Sequence, residues 1–113
     1  MEILGVGTDL CSIERFRSAR FPERAASFYL SENELRAAKN SRDFHQFLAS
    51  RFAAKEAVVK ASPRPLCPVD FEILKEGAVP SVRWLSDAPP YKVLLSISHE
   101  GRYACAFALC VSP

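Results

Sequence analysis

Six side chains in this sequence have the types and spacing to hold a polyanion. Asp9 follows the apolar run Ile3, Leu4 and Val6. There it is either a carboxylate aimed by a strand end or the cap of a following helix, a position that favours Asp. Arg51 and Lys55 stand four apart, as do Glu56 and Lys60, so each pair stacks on one helical face. Arg51 and Lys55 interrupt an apolar stripe, and a charge desolvated there needs a partner or an anionic ligand. Glu56 with Lys60 is either a solvated ion pair or part of a site. Two carboxylates beside these cations suit a hard divalent ion together with phosphates. Mg²⁺ takes oxygen ligands, keeps several waters and uses one or two protein carboxylates. Arg51, Lys55 and Lys60 would then bind phosphate oxygens, arginine through its planar fork and lysine as a point charge. His99, in Ser96-Ile97-Ser98-His99-Glu100, is either a turn residue or a donor to an anionic group.

The element that must carry most of these groups runs from Asp43 to Ala61, without Gly or Pro. Phe44, Phe47, Leu48, Phe52, Val58 and Val59 recur at helical steps and predict a core face. Ala49, Ala53, Ala57 and Ala61 form a second ridge, small enough for another backbone to come close. Before this helix, Glu2 to Asp9 reads as a short central strand, with Gly5 and Gly7 marking a close approach. Leu10 to Ala19 and Arg20 to Leu30 read as short helices, the second with Pro22 in its first turn. Ser31 and Glu34 make a capping box for a helix ending near Lys39. After it, Ser62-Pro63-Arg64-Pro65 stops the helix. From Val69 the period becomes two, a turn falls at Glu76-Gly77, and a strand follows around Pro80 to Leu85. Tyr91 to Ser98 and Arg102 to Val111 form a hairpin, its last strand apolar enough to be buried on both faces. Short N-terminal helices and one long helix packed on a small, mostly antiparallel sheet make an α+β fold.

Composition narrows the class. The 113 residues, 49% hydrophobic and 25% charged, predict a single globular domain over 1–113, small enough for self-association to help. A net charge of +2 does not argue for nucleic acid. No run is long enough for a membrane span and no secretory signal pattern is present, which points to the cytoplasm. The four cysteines lack CxxC spacing and read as buried thiols in a reducing compartment. There is no GxSxG nucleophile turn, no GxxxxGK[ST] loop and no strand-associated GxGxxG.

Three blocks resemble one family. Gly5-Val6-Gly7-Thr8-Asp9-Leu10 with Ile13 and Arg15, then Arg51-Phe52-Ala53-Ala54-Lys55-Glu56-Ala57 with Lys60-Ala61, then Ser96-Ile97-Ser98-His99 are similar to the holo-acyl-carrier-protein synthases, the small 4′-phosphopantetheinyl transferases. The resemblance implies transfer of phosphopantetheine from coenzyme A to a serine of apo-acyl carrier protein, with release of adenosine 3′,5′-bisphosphate, a step of fatty acid biosynthesis. It implies Mg²⁺ on Asp9 and Glu56, Lys60 near the pyrophosphate, Arg51 and His99 at the 3′-phosphoadenosine end, and Arg15 against the carrier protein. It also implies a homotrimer with sites between subunits. Two loops depart from the family pattern. Ser62-Pro63-Arg64-Pro65 lacks a glycine, and Gly77-Ala78-Val79-Pro80 lacks a lysine. They motivate one rival, a non-catalytic binder of coenzyme A or carrier protein. With the resemblance set aside, the alanine ridge and the apolar last strand motivate another, a small oligomeric interaction module.

Overall fold

A computed structural model describes residues 1–77 and 79–113, with the backbone alone of Glu76. The elements are β1 (Ile3–Ser12), α1 (Ile13–Arg17), α2 (Pro22–Ala26), α3 (Glu32–Lys39), α4 (Phe44–Ala61), a 3₁₀ turn (Pro68–Asp70), β2 (Phe71–Glu76), β3 (Val79–Trp84), β4 (Lys92–His99) and β5 (Tyr103–Val111). This is the expected α+β architecture. Among the described residues the strands form two antiparallel sheets, β1-β5-β4 and β2-β3, rather than one.

The long helix begins where Asp43 caps it, its Oδ1 accepting from Gln46 N at 3.1 Å. The Ser31–Glu34 capping box on α3 is complete. The departures lie near the N-terminus. β1 does not stop at Asp9, and no helix starts at Leu10. Leu10, Cys11 and Ser12 pair with Cys105, Ala104 and Tyr103, so strand pairing overrides their helical spacing. Asp9 is therefore within a strand and caps nothing. β1 is an edge, and β5 is the central strand.

Packing of α4 on β1 follows from residue size. A Cβ on Gly5 would lie 1.9 Å from Ala61 O, and one on Gly7 would lie 2.0 Å from Ala57 O. The buried Cys11 thiol donates to Ala49 O at 3.2 Å. Two residues of strand advance about as far as four residues of helix, so Gly5, Gly7 and Cys11 meet Ala61, Ala57 and Ala49 in register. The alanine ridge, expected to be secondary, is thus the most deeply buried face of α4. Phe44, Phe47, Phe52 and Val59 on the aromatic stripe are only half-buried.

β5 is also one-faced. Ala104, Ala106, Ala108 and Cys110 are buried, while Tyr103 and Phe107 remain exposed. With Val6, Leu10 and Leu94, also exposed, they leave the outer face of the three-stranded sheet apolar and uncovered. The cysteines divide likewise: Cys11 and Cys110 are buried, Cys105 is half-buried and Cys67 is exposed, all as free thiols.

Candidate functional site

The shared register of β1 and α4 places the first group of candidate residues. Asp9 falls between Gly7 and Cys11 on the helix-facing side of β1, which puts it level with Ala53. Lys60 lies further along α4, and a helical side chain leans toward the helix N-terminus. Its Nζ reaches Asp9 Oδ1 at 3.2 Å and Thr8 O at 3.0 Å. Glu56, half-buried, is one turn before Lys60 on the same face. Its side chain has no ion-pair partner among the described residues. Asp9 and Lys60 thus meet across one seam between strand and helix, with Glu56 one helical turn from Lys60.

A hard cation fits these donors. Both acids offer only oxygen, and no group of three or more His, Cys, Asp or Glu gathers among the described residues. Two carboxylates leave the remaining positions of an octahedral ion to water and phosphate.

The second group lies on another face of α4. A cleft of about 270 Å³ is lined by Gln46, Phe47, Ser50, Arg51, Lys75, Ile97 and His99. Arg51 is 8% exposed, its guanidinium stacked 4.3 Å from the centre of the Phe47 ring. Burial pulls its pKa down, partly offset by the charge of Glu34. Arg51 Nε and Ser50 Oγ are buried without a hydrogen-bond partner among the described residues, a cost of about 1–3 kcal/mol each unless something binds there. The His99 ring meets the Gln46 amide, Nε2 to Nε2 at 3.0 Å. His99 ends β4 rather than sitting in the turn, which runs over residues 100–102. The arrangement offers an anion a stacked cation, an imidazole, a hydroxyl and Lys75 at the rim.

Lys55 belongs to neither group, and its expected contact with phosphate is not what the fold builds. It is fully buried. Its Nζ lies 2.8 Å from Glu34 Oε1 and donates to the carbonyls of Pro68, at 2.7 Å, and Phe71. An ammonium has three protons, so no donor is left for a ligand. Burial holds its pKa down while Glu34 opposes that shift. The sequence did signal a need for a partner, since a cation in an apolar stripe requires one. It gave Glu34 only a capping role, and it left Gln46, Ser50 and Lys75 unremarked.

Arg15 is exposed on α1. Nearby, Arg17 is tied to Asp43 at 2.8 Å, and Phe21 and Phe28 are exposed beside Arg20 and Arg24. The 62–65 connector is held by Ser62, whose Oγ meets the Tyr91 hydroxyl at 2.7 Å. Of the 77–80 loop, Ala78 lies outside the described residues.

A family model described as the 4′-phosphopantetheinyl transferase superfamily matches residues 5–108. A holo-[acyl-carrier-protein] synthase of Desulforudis audaxviator is 39% identical over 124 residues, covering 98% of this chain and 95% of the relative. That of Shewanella amazonensis is also 39% identical, covering 96% and 98%. Among solved structures, the Bacillus anthracis holo-(acyl-carrier-protein) synthase in complex with CoA (3′,5′-ADP) superposes with a TM-score of 0.85 at 28% identity, over all of both chains. The Mycobacterium tuberculosis acyl carrier protein synthase gives 0.74 at 33% identity, covering 98% and 99%.

Proposed function

Because this chain belongs to the 4′-phosphopantetheinyl transferase superfamily, we propose that it moves the phosphopantetheine arm of coenzyme A to a serine of an apo-acyl carrier protein. Adenosine 3′,5′-bisphosphate is the leaving product, and Mg²⁺ is the cofactor. The observation that carries this reading is the meeting of Lys60 with Asp9 on one seam, with Glu56 one helical turn away.

Asp9 and Glu56 would hold the ion, which when bound supplies positive charge to phosphoryl oxygens as the β-phosphorus is attacked. Lys60 stands where it can leave Asp9 and donate to the same oxygens, where charge develops. Glu56 orients the incoming serine hydroxyl or takes its proton, directly or through water. Arg51 and His99 hold the 3′-phosphoadenosine end, and the unpartnered Arg51 Nε and Ser50 Oγ gain partners there. Arg15 and its neighbouring arginines draw in an acidic carrier protein, mainly by raising the encounter rate.

The two groups do not share one face of α4. From Arg51 to Glu56 the helix turns about 140°, and from Arg51 to Lys60 about 180°. One substrate touching both groups therefore takes them from two copies of the chain. This supports sites between subunits, in the homotrimer proposed from the family resemblance, and the uncovered apolar sheet face gives the copies somewhere to meet. No helix among the described residues is long and apolar enough to cross a membrane, and the working place proposed is the cytoplasm.

Incubation with coenzyme A, Mg²⁺ and apo-carrier protein tests the reading by intact mass. A phosphopantetheine increment on the carrier protein is the expected result. Its absence, with coenzyme A still bound, would favour a binding-only relative, and absence of binding would favour an interaction module.

A further inference from the structure

β2 is paired with β3, and its other edge still carries backbone groups that need partners. An ion pair supplies them. Lys55 Nζ donates to the Phe71 carbonyl, and Glu34 Oε2 accepts from Ile73 N at 2.9 Å. The two side chains meet each other at 2.8 Å. Phe71 and Ile73 are alternate residues of one antiparallel strand, so the carbonyl of the first and the amide of the second face the same edge. Ammonium and carboxylate therefore take the place of a neighbouring strand. Apolar side chains of equal size would fill the space but leave both backbone groups unpaired. Glu72, between them in sequence, is fixed by the Ser31 hydroxyl and by Arg83 at 2.8 Å. The capping box of α3, the middle of α4 and the free edge of β2 are thus joined through one buried network.

The network has a consequence for the cleft. Phe71, Ile73 and Lys75 lie on one side of β2 by the period of two, and Lys75 lines the cleft with Arg51 and His99. Glu34 and Glu72 are already engaged by Lys55 and Arg83, which leaves Arg51 and Lys75 as cations facing the same space. We propose that the Glu34–Lys55 pair is a positioning device that sets Lys75 across from Arg51, and that Lys75 is a further binding residue for the anionic adenosine end of coenzyme A. The assignment of coenzyme A rests on the function proposed above.

A double-mutant cycle on KM for coenzyme A tests it. Lys75→Met is expected to raise KM roughly tenfold, the worth of one charge-assisted contact, and more than it lowers kcat; Lys75→Arg is expected to recover most of the loss. Glu34→Gln with Lys55→Met removes both charges together, so neither is left buried alone. It is expected to raise KM in the same way and to add little on top of Lys75→Met, because both act through one contact. Fully additive losses, or an unchanged KM in Lys75→Met, overturn the proposal. Glu34→Gln alone is scored by the same criterion where the double variant does not fold. Amide exchange reads the brace without coenzyme A. Ile73 should exchange at least about tenfold faster in the double variant while β5 amides hold, and unchanged exchange at Ile73 overturns the brace whatever the activity. A wild-type chain that binds no coenzyme A would remove the functional reading and the role of Lys75, with the brace still decided by exchange.

Discussion

Lys55 and Lys60 are five residues apart on one helix, yet the fold gives them opposite uses. Lys55 is sealed among a carboxylate and two carbonyls, whereas the Lys60 side chain is 52% exposed and holds Asp9. A surface pair of that kind is worth about 0–1 kcal/mol, so Lys60→Met should barely move the melting temperature. It should lower the rate of phosphopantetheine transfer about a hundredfold, as loss of one preorganised donor to developing charge does. Intact-mass time courses beside a thermal melt separate the two effects. The thiols make a second prediction at this scale. Burial, with the nearby Asp9 charge adding to it, pushes the Cys11 pKa up to about 11, and burial also raises that of Cys110. Titration with a thiol reagent at neutral pH should modify Cys67 first and reach Cys11 and Cys110 only on unfolding. The spacing of Glu56 and Lys60, and the odd placing of two cations in an apolar stripe, were legible in the sequence. Which cation would be buried was not, because that depends on Glu34 and the β2 edge, both distant along the chain.

At the scale of elements, the contact between β1 and α4 carries the most risk. Gly7→Ala puts a methyl into Ala57 O, where backbone must shift, and a cost of about 1–3 kcal/mol or more is expected. Denaturant midpoints at unchanged m-value would report it. The sequence signalled this approach through its paired glycines and the alanine ridge. It misplaced the end of β1, because Leu10, Ile13 and Phe16 have helical spacing and only pairing with β5 selects the strand. The start of α4 gives a pH prediction. Arg17, followed by the Gln46 amide, holds the Asp43 carboxyl below its ordinary 3.8. A carboxyl depressed in the folded state adds stability that is present above pH 3.8 and lost as pH falls through the lower folded value. Arg17→Ala should therefore lower the melting temperature at neutral pH, with the difference from wild type shrinking in acid. The effect should be small, since both side chains are more than a third exposed to solvent.

For the whole molecule, the proposed assembly rests on the uncovered face of the three-stranded sheet. Phe107 lies at its centre, between Thr8 of β1 and Ser96 of β4. Phe107→Glu should reduce the sedimenting mass toward the 12.6 kDa of a single chain and abolish transfer even though every proposed site residue is intact. A variant that stays associated and active would remove the shared-site reading. The sequence implied an apolar last strand, but it could not show that only one side of that strand is covered within the chain.

The matched spacing of strand and helix also limits how such an enzyme can change over time. Gly5 and Gly7 leave no room for a Cβ against Ala61 and Ala57, and a one-residue slip would turn Asp9 to the opposite face. The acid-bearing wall is therefore frozen: its chemistry can be kept or lost but hardly adjusted. Adaptation to a different donor molecule is left to the β2–β3 hairpin, where residues at the rim of the cleft can vary while the Glu34–Lys55 pair stays buried.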